Sequence, residues 1–373
     1  MRIVLTGGGT GGHFYPLIAI AEALEELSLQ EEKDHLRLYY LSTEPYDTNL
    51  LLAHNITFKK IPAGKVRTHA SKRNLFDPIK TLFGVFIAVF KVFLVYPDVV
   101  FAKGGYASFP TLFAARILGI PVVIHESDTI PGRVNIWAAK FARSIALSWS
   151  EALSFFPGGK AVVTGQPIRK ALLLKEENGA YEAFSLEQGI PVLTILGGSQ
   201  GAQRVNDYLL DIMPTLLERF QVIHQTGKDN YDDVSKRVRV LLERNDNKGR
   251  YHAFSFLDEG MMRKMAAITT LIISRSGSII FELAEWGIPA ILIPIPENIS
   301  RDQTKNAYSY ARAGAARVLE EENLTPHILI AEMEKIIQSP ELYKEMKAKA
   351  IEFSTPDAAL KIGREIMHIA SSH

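Results

Sequence analysis

The sequence predicts an α/β protein of two Rossmann-like domains, each a parallel sheet flanked by helices. Short apolar runs of strand length alternate with longer segments of helical period along the whole chain, the signature of stacked βαβ units. Two segments echo one another, RIVLTGGGTGGH at the start and VLTILGGSQGAQ near the middle, each an apolar run ending in a glycine turn that opens a helix. With 373 residues, 47% of them hydrophobic, the chain is too long for one ordinary core and long enough for two.

In order, the first half supplies RIVLT, LRLYYLS, VVFAKG, PVVIHE and SIALSWS as strands, and the second half supplies VLTILG, FQVIHQTG, YHAFSF, TLIISR and PAILIPI. Helical spacing follows the first glycine turn in PLIAIAEALEEL. The most apolar window, TLFGVFIAVFKVFLVYP at 81 to 97, is interrupted by Lys91 and is shorter than the roughly 20 residues of a spanning helix. It reads either as a buried helix or as a surface that touches membrane. A strand ends at Gly165, a Gln-Pro turn follows, and the domains divide there into 1–164 and 165–345. The remaining 346–373 contain a last helix with Thr355 as N-cap and Pro356 at its first position. Its Ala359, Ile362, Ile366 and Ile369 share one face, which suits packing back on the first domain.

Lys and Arg number 42 against 41 Asp and Glu, which excludes a bulk basic field and argues against nucleic acid as a partner. The absence of cysteine removes disulfides and thiolate metal sites and suits a reducing compartment. The N-terminus reads as a strand and a glycine loop rather than an export signal. No metal constellation is visible.

The candidate chemistry sits in the turns. GGGTGG formally contains G-x-G-x-x-G as Gly7, Gly9 and Gly12, where missing side chains let backbone N–H groups approach an anion at a helix N-terminus. A dinucleotide site would also want an acid after the second strand, and Glu44 lies in STEPYD, which reads as an ordinary turn. His13 falls in the first turn of the helix, at the edge where ligand crevices open, and is either a capping histidine or a general base. VFAKGGYASFP holds a second glycine turn. HESDTIPG brings His125, Glu126 and Asp128 together, either as part of a site or as acceptors for local backbone donors. In the second half Ser199 and Gln200 lie in LGGSQGA, again suited to a phosphate. Glu282 begins a helix after SRSGS, where one carboxylate can accept from both hydroxyls of a ribose. Asp302, Gln303 and Asn306 in RDQTKNA are able to read sugar hydroxyls.

Together GGGTGGHFYP, GGYASFP, HESDTIPG, GQPIR, LGGSQGA, HQTGK, SRSGS with FELAEWGIP, and DQTKNA resemble the MurG family in order and spacing over essentially the whole chain. The resemblance implies a metal-independent, inverting GT-B glycosyltransferase, two Rossmann-like domains facing a central cleft. It would move N-acetylglucosamine from UDP-N-acetylglucosamine to the 4-hydroxyl of a polyprenyl-pyrophosphoryl N-acetylmuramyl-pentapeptide, at the cytoplasmic face of the membrane. It implies His13 as the base. It places Thr10, Gly11, Gly12, Asp128, Arg169, Ser199, Leu257, Glu282 and Gln303 on the donor, and Gly8, Gly9, Gly104, Gly105, Tyr106, His125 and Glu126 on the acceptor. Lys65, Arg67, Lys72, Arg73 and Lys80, leading into Leu82, Phe83 and Phe86, would dock on anionic lipid.

Two features depart from the family pattern: an aspartate at 128 where asparagine is common, and a run from Arg275 to Glu282 one residue shorter than usual. The rivals are a UDP-N-acetylglucosamine epimerase or another transferase of the same fold, a nicotinamide-dependent oxidoreductase, and a binding protein without turnover.

Overall fold

The computed structural model describes residues 1–31, 35–64, 73–197, 203–296 and 301–372. Its contacts divide the chain into two units, Met1–Lys170 with Thr355–His373, and Ala171–Ser354.

The first unit carries a seven-stranded sheet of β1 (Arg2–Thr6), β2 (Arg37–Ser42), β3 (Thr57–Lys60), β4 (Val99–Ala102), β5 (Val122–Glu126), β6 (Ser144–Leu147) and β7 (Ala161–Val163). Its order is β3-β2-β1-β4-β5-β6-β7 with every pairing parallel. Central strands are buried on both faces, which is why they read as unbroken apolar runs. In β1, Ile3 and Leu5 join the core beneath helix Gly11–Gln30, while Val4 joins the opposite core with Val92 and Val100. The second unit carries a six-stranded parallel sheet of β8 (Val192–Leu196), β9 (Gln221–Gln225), β10 (Tyr251–Phe254), β11 (Leu271–Ser274), β12 (Ala290–Leu292) and β13 (Ala316–Val318), ordered β10-β9-β8-β11-β12-β13. Strand order reverses between β1 and β4 in one sheet and between β8 and β11 in the other. Ligands of open α/β sheets bind outside the carboxyl ends at such points.

The units divide at 170 and 354 rather than at the 164 and 345 read from the sequence, for local reasons. Gly165 donates its N–H to Leu147 O and accepts from the His125 ring at 3.0 Å, so 165–170 stay with the first sheet. Helix Pro340–Phe353 packs on helix Ile279–Trp286, with Phe281 and Phe353 rings stacked at 5.9 Å, which keeps it with the second unit. The last helix, Ala358–Ser371, does return to the first unit and lays Ile362, Ile366 and Ile369 against Leu24 and Leu27. Burying each isoleucine contributes about 1.5 to 3 kcal/mol. Thr355 is not its N-cap: a turn at Pro356 and Asp357 intervenes, Asp357 takes the cap position, and Thr355 packs against Gly165.

Helix Arg73–Val95 is long and apolar enough to cross a membrane by length and composition, yet only 22% of its Asp77–Val95 window is buried. Ala88, Val92 and Val95 face the core, whereas Ile79, Leu82, Phe83, Phe86, Phe90, Phe93 and Leu94 are exposed. This removes the buried-helix reading of 81 to 97.

Candidate active site

At the first reversal point, the turns after β1 and β4 meet. Gly7 O accepts from Ser42 Oγ at 2.7 Å and from Tyr40 OH at 3.1 Å, which pins the opening turn to β2. Gly8 has φ +141°, and a Cβ there would lie 2.5 Å from Ser42 Oγ, so only glycine fits. Gly9 packs on the Tyr106 ring of the opposite turn. Thr10 O receives the N–H groups of His13 and Phe14, and Thr10 Oγ1 lies 3.0 Å from His13 Nδ1. Gly104 and Gly105 both have positive φ, and the Gly105 backbone approaches so closely that a Cβ would lie 3.3 Å from His13 Nε2. Gly11 and Gly12 open the helix.

His13 is therefore both a hydrogen-bonded helix-start residue and an imidazole presented between two glycine turns. Burial, and secondarily the Lys103 ammonium, lower its pKa to about 4, so it is neutral near pH 7. In the tautomer whose Nδ1–H donates to Thr10 Oγ1, Nε2 is the acceptor, and it faces the second turn.

The turn after β5 is built differently. Glu126 is 4% exposed, and its carboxylate accepts from four donors: the N–H groups of Ser127, Asp128 and Gly132 and the amide of Asn135, at 2.8 to 3.1 Å. Burial and Asp128 raise its pKa against Lys103 and these donors. His125 is fully buried, with Nε2 on Gly165 O and 3.3 Å from Ser148 Oγ. Both side chains are occupied in holding the loop, and Asp128 is the acidic group that lies partly exposed.

Arg169 belongs to the first unit, where its guanidinium stacks on the Tyr15 ring at 4.3 Å. The sequence treats STEPYD as an ordinary turn, but Tyr46, at φ 58°, packs on Phe14 and brings its hydroxyl to Gly11.

In the second unit, β8 and β11 end side by side, Leu196 opposite Ser274. Ser199, with Gly198 and Gln200, lies outside the described residues. After β11, Ser276 donates to Gln303 O at 2.8 Å, and a Cβ at Gly277 would lie 3.6 Å from Gln303 Nε2. Gln303 and Ser276–Gly277 are thus one structure although 27 residues separate the bonded pair. Glu282 lies partly exposed in the first turn of helix Ile279–Trp286. Arg275 is engaged by Glu321 Oε2 at 2.7 Å and by the carbonyls of Ile293 and Pro294, which follow β12. Leu257 is buried, 2% exposed. Among the described residues no group of His, Asp and Glu is placed to hold a metal ion.

The glycosyltransferase family 28 N-terminal domain matches residues 3–147, and the glycosyltransferase family 28 C-terminal domain matches residues 192–362. A relative from Lachnospira eligens, named UDP-N-acetylglucosamine–N-acetylmuramyl-(pentapeptide) pyrophosphoryl-undecaprenol N-acetylglucosamine transferase, is 38% identical over 338 residues, covering 90% of each chain. The chain belongs to the MurG family of glycosyltransferases. A crystal structure of MurG from Acinetobacter baumannii superposes with a TM-score of 0.73 at 26% identity, over 98% of this chain and 99% of that one. The UDP-N-acetylglucosamine 2-epimerase of Neisseria meningitidis, solved with UDP-N-acetylglucosamine, shares the fold at 16% identity with a TM-score of 0.71, over 99% of this chain and all of that one. The paired parallel-sheet architecture is that of a GT-B enzyme.

Proposed function

We propose that the chain transfers N-acetylglucosamine from UDP-N-acetylglucosamine to the 4-hydroxyl of a polyprenyl-pyrophosphoryl N-acetylmuramyl-pentapeptide, making a lipid-linked disaccharide precursor of peptidoglycan. The observation that carries this reading is the 38% identity, over nine tenths of both chains, to a relative named for that transfer. An oxidoreductase is not favoured, because the opening glycines face Ser42, Tyr106 and Tyr46 and the Glu44 that such a reading would use is exposed.

In the proposed reaction the acceptor's 4-hydroxyl attacks the anomeric carbon while UDP departs from the opposite face. One carbon–oxygen bond forms as another breaks, and the hydroxyl proton passes to His13 Nε2. The neutral imidazole fits that role because its environment withholds the proton until the substrate supplies one. Glu282 takes the ribose hydroxyls, Gln303 the sugar, and Ser199 the diphosphate. Leu257 and Arg169 border the uridine, and Thr10, Gly11, Gly12 and Asp128 complete the donor side. Gly8, Gly9, Gly104, Gly105 and Tyr106 border the acceptor, beside the turn after β5 that His125 and Glu126 hold. Helix N-termini receive the charge growing on the leaving diphosphate, so the reaction needs no metal.

The acceptor's lipid tail calls for a peripheral position on the cytoplasmic face of the membrane. The exposed apolar face of helix Arg73–Val95 supports it, with Lys80 exposed beside it. Lys65, Arg67 and Lys72 of the basic approach lie outside the described residues, as does the Arg73 side chain.

The test is transfer of labelled N-acetylglucosamine from UDP to a short-chain lipid-linked muramyl-peptide. A product bearing the label supports the reading. Its absence, with epimerised UDP-sugar instead or with thermal stabilisation by NAD alone, would replace it by the corresponding rival.

A further inference from the structure

Lys103 carries a buried charge that the proposed reaction does not use. Lys103 follows β4 at the reversal point and is 2% exposed, a position where an ammonium is costly unless it is paired. Its stem lies on the opening turn, where a Cβ at Gly7 would be 3.1 Å from Lys103 Cβ. Its N–H donates to Thr6 O at 2.9 Å, which ties β4 to β1 where the turns diverge. From there the side chain crosses to the third turn and donates to Ser127 Oγ, between Glu126 and Asp128. Burial lowers its pKa to about 8, while Glu126 and Asp128 pull it back upward, so it is a cation near neutral pH.

The two acids differ. The Glu126 carboxylate is enclosed by its four donors, whereas Asp128 is partly exposed and adds a negative charge to the turn after β5, beside the turns proposed to border the acceptor. A lone carboxylate there would repel the substrate. The cation that answers it is the one already fixed to the neighbouring serine.

We propose that Lys103 and Asp128 act as one charge pair that governs how the first unit receives a pyrophosphate-bearing acceptor. Lys103 is a positioning residue: it holds the Ser127–Asp128 turn and offsets its charge without touching the reacting atoms. This rests on the transfer reading above.

Four proteins test it, the unaltered chain, Lys103→Met, Asp128→Asn and the double variant, each assayed for kcat and both KM values with a detergent-dispersed short-chain acceptor, alongside thermal melts. Lys103→Met is expected to raise the acceptor KM at least tenfold and to leave the donor KM within twofold. Asp128→Asn is expected to raise the donor KM, since Asp128 stands on the donor side, without raising the acceptor KM, and the double variant to return the acceptor KM to within threefold of the unaltered protein. A double variant as impaired as Lys103→Met, or a raised acceptor KM in Asp128→Asn, would overturn the pairing. If Lys103→Met does not fold, the other two variants decide by the same criteria. No transfer by the unaltered protein would remove the transfer reading and the pair with it, whereas full transfer independent of both residues removes the pair alone.

Discussion

Acidifying the transfer assay tests the proposed base. His13 must be neutral to accept a proton, and burial together with Lys103 lowers its pKa to about 4. An ordinary imidazole with pKa about 6.5 would be neutral in roughly 9% of molecules at pH 5.5 and about 76% at pH 7, an eightfold loss. With a pKa of about 4, about 97% remain neutral at pH 5.5. The expected kcat/KM is therefore nearly flat from pH 7 to 5.5 and falls as pH drops through about 4. The same lowering makes the unfolded chain the better proton acceptor between these two values, so stability declines with falling pH across that window. His125 and His224, also lowered by burial, act in the same direction. Initial rates at subsaturating substrate should accordingly be paired with circular dichroism at each pH. An acid limb near pH 6.5, with the fold intact and the limb retained in Glu126→Gln, would refute the buried neutral base.

Four further outcomes are expected. Glu282→Ala should raise the donor KM by roughly tenfold or more through loss of a hydrogen-bonded carboxylate, with the acceptor KM unchanged in initial-rate assays. Gly105→Ala, at φ +79° and with its Cβ 3.3 Å from His13 Nε2, should cost about 1 to 2 kcal/mol in a denaturant titration and lower kcat by displacing the imidazole. Glu126→Ala strips the acceptor from four N–H donors and should destabilise the first unit by about 2 to 4 kcal/mol in the same titration. Replacing Phe86 and Phe90, 67% and 63% exposed, by glutamate should leave the melting temperature essentially unchanged and abolish most co-sedimentation with anionic vesicles.

The sequence is legible where the chain is buried on both sides. The ten apolar runs fall on ten of the strands, nine of them inside a sheet, where a central parallel strand has no wet face to break its pattern, and one, β10, at an edge. The strands TFKK and ARV are absent from that reading, and AVV shows only as the run before Gly165. All three, β3, β13 and β7, lie at sheet edges and, Ala316 apart, carry exposed or half-buried side chains. In the site, the glycine turns and His13 announce themselves because few other roles explain such spacing. Lys103, Ser42, Tyr46 and Asn135 do not, since a residue matters there through a partner distant in sequence. The one signal for Lys103 is a charge directly continuing the buried run VVFA, where alternation predicts no water. For His125 and Glu126 the sequence leaves two readings, and only the count of donors around them distinguishes an anchor from a ligand.

The return of helix Ala358–Ser371 to the first unit has a consequence for how the protein is made. Synthesis runs from the N-terminus, and domains commonly fold as they emerge. Here the middle unit, Ala171–Ser354, is complete as a sequence before the first one is. Residues 1–170 must wait with the face made by Leu24 and Leu27 uncovered until Ile362, Ile366 and Ile369 arrive. A chain cut short near residue 355 would present a finished second unit joined to an unfinished first one. The opening glycine turn, the earliest part of the site to be translated, would then rest on a helix still lacking its partner.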